Sequence, residues 1–445
     1  MTDRLVPESV VYRSLTFFAR GGAICLPSPA RLASFATRPS TAVGKPRGSR
    51  MFDKPRTRSG YAVGLTLVAA LASIVAAPAM AQLAVSVNDN KVKLVDGTVV
   101  VNANPRPDTM SLIDLATLPP RKLVEIPVPA SVVGPPMSVA LSPDDRLALV
   151  TSNQKIDPAD ATKQVNDNRL SVIDLKATPP RVIQTLETGA GPAGVSINRA
   201  GTLALVANRN DGTVSSFAIR GQQLVALAKL TIGNAQSGPS HVAITPDGKF
   251  ALVTRDGDSM ITVLKIDGEK VELANRDINA GLRPYGIAIN SNGRMAAVAN
   301  IGRGNGDLDT ISVIDLTASP FKVVDTVTVG QTPEGIMISP DGKWCAVVIH
   351  DGSNKPKSSP FYNERGQVVL YRIDGMKLVR TSAAKIGAWS QGVAFSRDGR
   401  TVVVQNMVER DLQVFRNENG KLQDTGRRIS LDGGGAAIRI ADRAR

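Results

Sequence analysis

The chain has 445 residues, 42% of them hydrophobic and 21% charged, with a formal net charge of +14. That length suits one large domain or two to three small ones. Aromatics make up only 4%, and no basic cluster is interleaved with them, which argues against nucleic-acid binding. Two histidines and two cysteines are too few for a metal centre built from such ligands. Valine and isoleucine are abundant and long helical patterns are absent, so the chain reads as β structure.

Residues 1–50 carry Arg, Ser and Pro with few acidic residues and no periodicity, and read as an N-terminal extension with translation beginning at Met51. From Met51 a basic stretch, MFDKPRTRSG, precedes the apolar run YAVGLTLVAALASIVAAPAMAQ, with an A-x-A site at Ala79, Met80 and Ala81. This is the pattern of a secretory signal peptide cleaved after Ala81. The expected product, residues 82–445, is periplasmic or secreted and monomeric, without a stable membrane anchor. Residues 1–81 hold 11 Lys and Arg and 3 Asp and Glu, so their removal leaves 42 basic and 36 acidic residues, a net +6. Such a charge favours solubility. Cys25 is removed with the leader, and Cys345, alone inside KWCAVVI, reads as a buried small hydrophobe.

The remaining chain is a repeat of roughly 45 residues. Segment 95–115 (VDGTVVVNANPRPDTMSLIDL) resembles a second and third strand, and RKLVEIPV (121–128) a fourth. Complete units then start near Pro136, Pro192, Pro239, Pro284, Pro333 and Ser390. Each runs through a short apolar strand, a turn such as Ser339-Pro340-Asp341-Gly342, a second strand such as FALVTR, a third such as TISVIDL, and a fourth. Pro presets φ, and Asp-Gly or Asn-Gly supplies the hairpin corner. The last segment, GGGAAIRIADR (433–443), is a first strand with nothing after it. Four strands per period predict a single all-β, seven-bladed propeller, its ring closed by a composite blade from the N- and C-terminal strands. Closure removes exposed sheet edges.

The unit G-x-x-P-x-[GS]-V-A-[IL]-[ST]-P-D-G-K-x-A-L-V-x-N, followed by I-S-V-I-D-L, resembles the YVTN-repeat seven-bladed propellers. It is similar also to the related 6-phosphogluconolactonase-type lactonases. The resemblance covers about residues 90–443 and implies fold far more specifically than activity.

In a propeller the first-to-second turns share one face, and here they are short and alike. The second-to-third connections share the other face, and three of them are long: 153–168, 301–309 and 351–366. Such insertions mark a binding face. His241 opens a first strand beside that face, where other repeats carry Ser138, Gly194, Gly286, Gly335 and Gly392. Imidazole there suits a general acid or base. Fifteen residues on, the second strand leaves at the same face, and that position reads Asn153, Arg209, Asp256, Ile301, His350 and Met407. One residue earlier, Asn208, Asn300 and Asn406, with Asn104 in the composite blade, read as structural caps to the backbone. The candidate site is therefore a polar ring. His241 and Asp256 are its catalytic candidates; Arg209, Arg255, Arg283, Arg303, His350 and Asn153 are its ligand-binding candidates.

The lactonase resemblance implies Pro-Arg-His at the strand opening and Asn-Glu at its partner's exit. This chain has Pro239-Ser240-His241 and Arg255-Asp256, and Asn300-Ile301 where Asn-Arg is implied. The histidine and a carboxylate are kept and two anion-holding positions are lost, which argues against phosphorylated substrates. Two functions follow. The first is binding of a small molecule or protein partner at the variable loop face. The alternative is lactone hydrolysis with His241 as base and Asp256 orienting it. Neither invokes a cofactor or a metal.

Overall fold

The computed structural model describes residues 82–443, and every regular element in it is a β-strand. The leader, its cleavage site and the extension before Met51 lie outside the described residues. Seven four-stranded antiparallel sheets form the blades. Blade 1 is composite, in the order Gly434–Ile440, Leu83–Asp89, Thr109–Asp114, Arg121–Pro127. Blades 2 to 7 follow in chain order, with first strands Val139–Leu141, Pro192–Ile197, Pro239–Ile244, Pro284–Ile289, Pro333–Ile338 and Val393–Phe395. The expected fold and its closure by both chain ends are thus observed.

The core lies between the blades. Seven hydrophobic clusters each bridge two neighbours, the last joining Leu412, Val414 and Val403 of blade 7 to Ala84, Ile113 and Ile438 of blade 1. Valine and isoleucine fit because each sheet is covered on both faces. Cys345 is a fully buried member of one cluster, and burial pushes its thiol up to about 12.

The turn face is built as its sequence implies. In blade 6 the Ser339 hydroxyl accepts from the Trp344 amide at 3.0 Å, and Gly342 sits at φ +70°. Blade 2 has Asp145 at the equivalent position, at φ +54°, a conformation that Asp tolerates better than most residues.

The composite blade differs from expectation in one strand. Its second strand is Leu83–Asp89, buried throughout, and not the segment beginning at 95. Residues Val92–Val95 and Thr98–Val101 instead form a separate hairpin within the second-to-third connection. β-branched residues make TVVV a good strand in isolation. However, Val95, Val99 and Val100 are exposed, whereas LAVSVND supplies the apolar surface a central strand must bury. Asn88, not Asn104, therefore occupies the exit slot. It donates to Thr109 and Ser111 at 3.0 and 3.1 Å, as Asn208 does to Thr213 and Ser215 and Asn300 to Thr310 and Ser312. These asparagines tie the second strand to hydroxyls on the third, and backbone capping is also seen: Asn300 donates to the Ala280 carbonyl at 3.3 Å, and Asn406 accepts from the Gly387 amide at 2.9 Å.

Candidate active site at the channel mouth

First strands line the central channel, and the residue just before the His241 position lies at the level of its mouth. In blades 4 to 7 that residue is Ser240, Tyr285, Glu334 and Gln391. Second strands of blades 3, 4 and 6 end at the same level and deliver Arg209, Asp256 and His350. Two polar clusters result.

The first is centred on Asp256, whose side chain is 2% exposed. Arg209 grips both of its oxygens, Arg283 reaches Oδ2 at 2.7 Å, and the Ser240 hydroxyl donates to Oδ1 at 2.7 Å. Burial alone would raise the Asp256 carboxyl; Arg209, Arg283 and Ser240 outweigh it and hold it below the usual carboxylate range. The Arg209 guanidinium also lies 5.6 Å above the Tyr285 ring, a cation–π distance. Arg283 stands at φ +56°, where the equivalent residues of blades 3 and 4 are Gly191 and Gly238. A side chain there costs about 1–2 kcal/mol; Thr332 holds the same slot in blade 6 at φ +57°, so the left-handed corner belongs to the repeat, and Arg283 reaches Asp256 from it.

The second cluster is centred on Glu334. Its Oε2 meets His350 Nε2 at 2.6 Å and Gln391 Nε2 at 3.2 Å. The Oε1 atom has no protein hydrogen bond among the described residues. Glu334 is 12% exposed and His350 3%. The carboxylate therefore faces the mouth while the imidazole supports it from behind. The two clusters adjoin, since the Glu334 charge bears on both Arg209 and Tyr285.

Of the residues expected from sequence, Arg209, Asp256 and Arg283 come together, and His350 joins through Glu334. His241 does not bond to Asp256. Its ring is buried beside Gly194, and neither ring nitrogen has a geometrically sound hydrogen-bond partner. Burial, then the charge of Arg439, push it well below the usual imidazole range, so it is neutral near pH 7. Asn153 is buried and donates to the Gly191 carbonyl at 2.8 Å, a structural tie. Arg255 turns outward to Asp258, the Ile232 carbonyl and Thr262. Arg303 is exposed in its loop and pairs with no described residue. Glu334, Tyr285 and Gln391 were not expected. Comparing the variable residue one place before His241, across PSHVAI, PYGIAI, PEGIMI and SQGVAF, exposes them.

The inserted loops are not independent. The Lys357 amide donates to Asp96 at the tip of the extra hairpin at 2.8 Å, and Lys355 donates to the Gly304 carbonyl. Phe361 packs so closely on Gly306 that no Cβ fits there. Arg283 Nη1 reaches the Gly302 carbonyl at 3.4 Å. The hairpin and loops 301–309 and 351–366 thus form one interlocked wall beside the mouth.

Residues 220–305, which include Asp256, Arg283 and Tyr285, match the family described as Lactonase, 7-bladed beta-propeller. No curated protein matches the sequence. Among solved structures, the chain is similar to a protein of Bacteroides fragilis named as a candidate 6-phosphogluconolactonase, with 17% identity and a TM-score of 0.64 over 82% of this chain and 99% of that one. It is similar also to the periplasmic gluconolactonase of Pseudomonas aeruginosa (17% identity, TM-score 0.58, 81% and 99% covered). Kuenenia stuttgartiensis hydrazine synthase shares the fold too (17%, 0.53, 70% and 90%). At these identities the structural likeness establishes the propeller and leaves the chemistry to the site.

Proposed function

We propose that this lactonase-related seven-bladed propeller hydrolyses a small lactone at the channel mouth. The observation that carries the reading is the juxtaposition of two solvent-reaching guanidiniums, Arg209 and Arg283, with the half-free carboxylate of Glu334. Ester hydrolysis needs a base for water and a positive group for the oxygen that gains charge.

In this reading Glu334 Oε1 takes a proton from water, whose oxygen bonds to the lactone carbonyl carbon. Arg209 and Arg283 hold the oxyanion that forms. The ring C–O bond then breaks, the leaving alkoxide takes the proton back, and the product is a hydroxy acid whose new carboxyl releases its remaining proton to solvent. His350 and Gln391 orient Glu334 by hydrogen bonds to Oε2. Asp256 positions the two guanidiniums and offsets their charge. The base is assigned to Glu334 rather than His241 because His241 lies buried beside a neighbouring blade. Two arginines balance two carboxylates at the mouth, so it suits a neutral lactone better than a phosphorylated one, in line with the missing anion-holding positions. The interlocked wall limits the substrate's size.

Export belongs to the same proposal. The leader pattern at 51–81 supports it, as does the periplasmic gluconolactonase among the structural neighbours. Mature protein beginning at Gln82 in a periplasmic or culture fraction is the expected result.

The direct test is a panel of lactones, with gluconolactone and its 6-phosphate compared. Faster turnover of the neutral compound supports the reading. No turnover of any lactone by folded protein returns the loop face to a purely binding role.

A further inference from the structure

Inside the channel, between the mouth and the turn face, lies a charge that the proposed chemistry does not use. Each first strand presents a small or apolar residue to the channel about three residues beyond the mouth: Ala140, Ser196, Ala243, Ala288, Met337 and Ala394. The closing blade puts Arg439 there. The only described hydrogen-bond acceptor it meets is the Met137 thioether sulfur, at 2.9 Å. No carboxylate pairs with it. The acidic group that bears on it, Asp442, is half-exposed and committed to Arg199 at 2.9 Å. Asp145, also at this end, is committed to Arg443.

Arg439 lines a cavity of about 380 Å³ that opens toward the turn face, opposite the Glu334 cluster. Ile197, Ile244, Ile289 and Ile338 form an apolar collar in its wall, and the charged residues Asp145, Asp341, Arg397, Asp442 and Arg443 also line it. The volume falls in the range that holds small ligands. An unpaired guanidinium in such surroundings is poorly solvated and selects an anion, and its planar fork suits a carboxylate. The aliphatic collar selects an apolar body behind that head group.

We infer that the turn-face end of the channel is a second ligand site, taking a small apolar monocarboxylate with its head on Arg439 and its body in the isoleucine collar. This site is independent of the lactonase reading and survives its failure.

The test is calorimetric titration of the purified protein with benzoate and with benzamide, its neutral isostere. Benzoate is expected to bind at one site, and benzamide at least about tenfold more weakly. Arg439→Met keeps the apolar stem and should lose at least about tenfold in benzoate affinity, while Arg283→Ala at the mouth leaves it unchanged. If Arg439→Met does not fold, methyl-labelled methionine spectra of the wild type decide. Met137 and Met337 should then shift with benzoate. No benzoate binding at millimolar concentration, equal binding of benzamide, or loss of binding in Arg283→Ala overturns the proposal. So do unmoved Met137 and Met337 resonances.

Discussion

The two faces of this propeller use the same repeat in opposite ways. On the turn face, blades 2, 3, 4, 6 and 7 repeat one solution: a hydroxyl or Asn side chain accepts a backbone amide, and a left-handed residue closes the corner, Gly in four of them and Asp145 in blade 2. On the loop face, equivalent positions diverge. The strand-exit residue is Arg209, Asp256, Ile301 or His350, and the residue before the His241 position is Ser240, Tyr285, Glu334 or Gln391. Repetition marks what holds the ring together, and divergence marks what it presents. His241 belongs to the first category despite being unlike its siblings. It is accommodated because its neighbour is Gly194, where an added Cβ would lie 2.7 Å from both the His241 Cα and its ring Cδ2.

This contrast is sharpened by substitutions on either side of it. The largest stability loss is expected between blades. Phe415 is fully buried in the cluster joining blades 6 and 7, and Phe415→Ala should cost about 3–5 kcal/mol, read as a fall in the chemical denaturation midpoint. Gly194→Ala comes next. Its methyl group meets the His241 main chain, which cannot swing aside, so a loss of about 1–3 kcal/mol is expected. An unchanged melting temperature would mean that the His241 strand gives way easily.

At the mouth the sign reverses. Arg283→Gly relieves the left-handed strain, at φ +56°, and should gain up to about 1 kcal/mol, less whatever its contact with Asp256 contributed. The same change should slow lactone turnover. A variant less stable than the wild type would mean that the Arg283–Asp256 contact outweighs the strain, and full activity would remove Arg283 from the proposed site.

Acid should separate the two categories by pH window. The folded-state value of His241 is depressed, so the unfolded chain takes up its proton first. Stability is then lost as pH falls below about 6.5. Asp256 is also depressed, by its arginines. Its contribution is present above its unfolded value, about 3.9, and is lost as pH falls through the lower folded one. In melting curves against pH, His241→Gln should flatten the first fall and Asp256→Asn the second.

Much of this was legible in the sequence. The turn motifs and strand alternation carry the seven blades, and the solitary first strand at 433–443 carries the closure. The second strand of blade 1 was not legible, because TVVV has strand chemistry but lies exposed, and only the sheet shows that Leu83–Asp89 takes the central place. Arg209, Asp256 and Arg283 were readable from the exit position and the loop before the strand. The Glu334–His350 pair was half readable. His350 stood out by residue type, but its partner sits on another strand of the same blade, and sequence spacing does not show which side chains meet there. His241 shows where sequence and structure point different ways. A rare titratable residue at a conspicuous position suggests chemistry, yet its ring is enclosed by a neighbouring blade's backbone.

The most direct measurement is kcat/KM for lactone hydrolysis by Glu334→Gln and His241→Ala beside the wild type, with melting temperatures for all three. Glu334→Gln is expected to stay folded and to lose about 10²- to 10⁴-fold, while His241→Ala changes turnover by only a few-fold, roughly what a small shift in packing produces. Loss of turnover in a well-folded His241→Ala, with Glu334→Gln still active, would contradict this and move the base to the histidine.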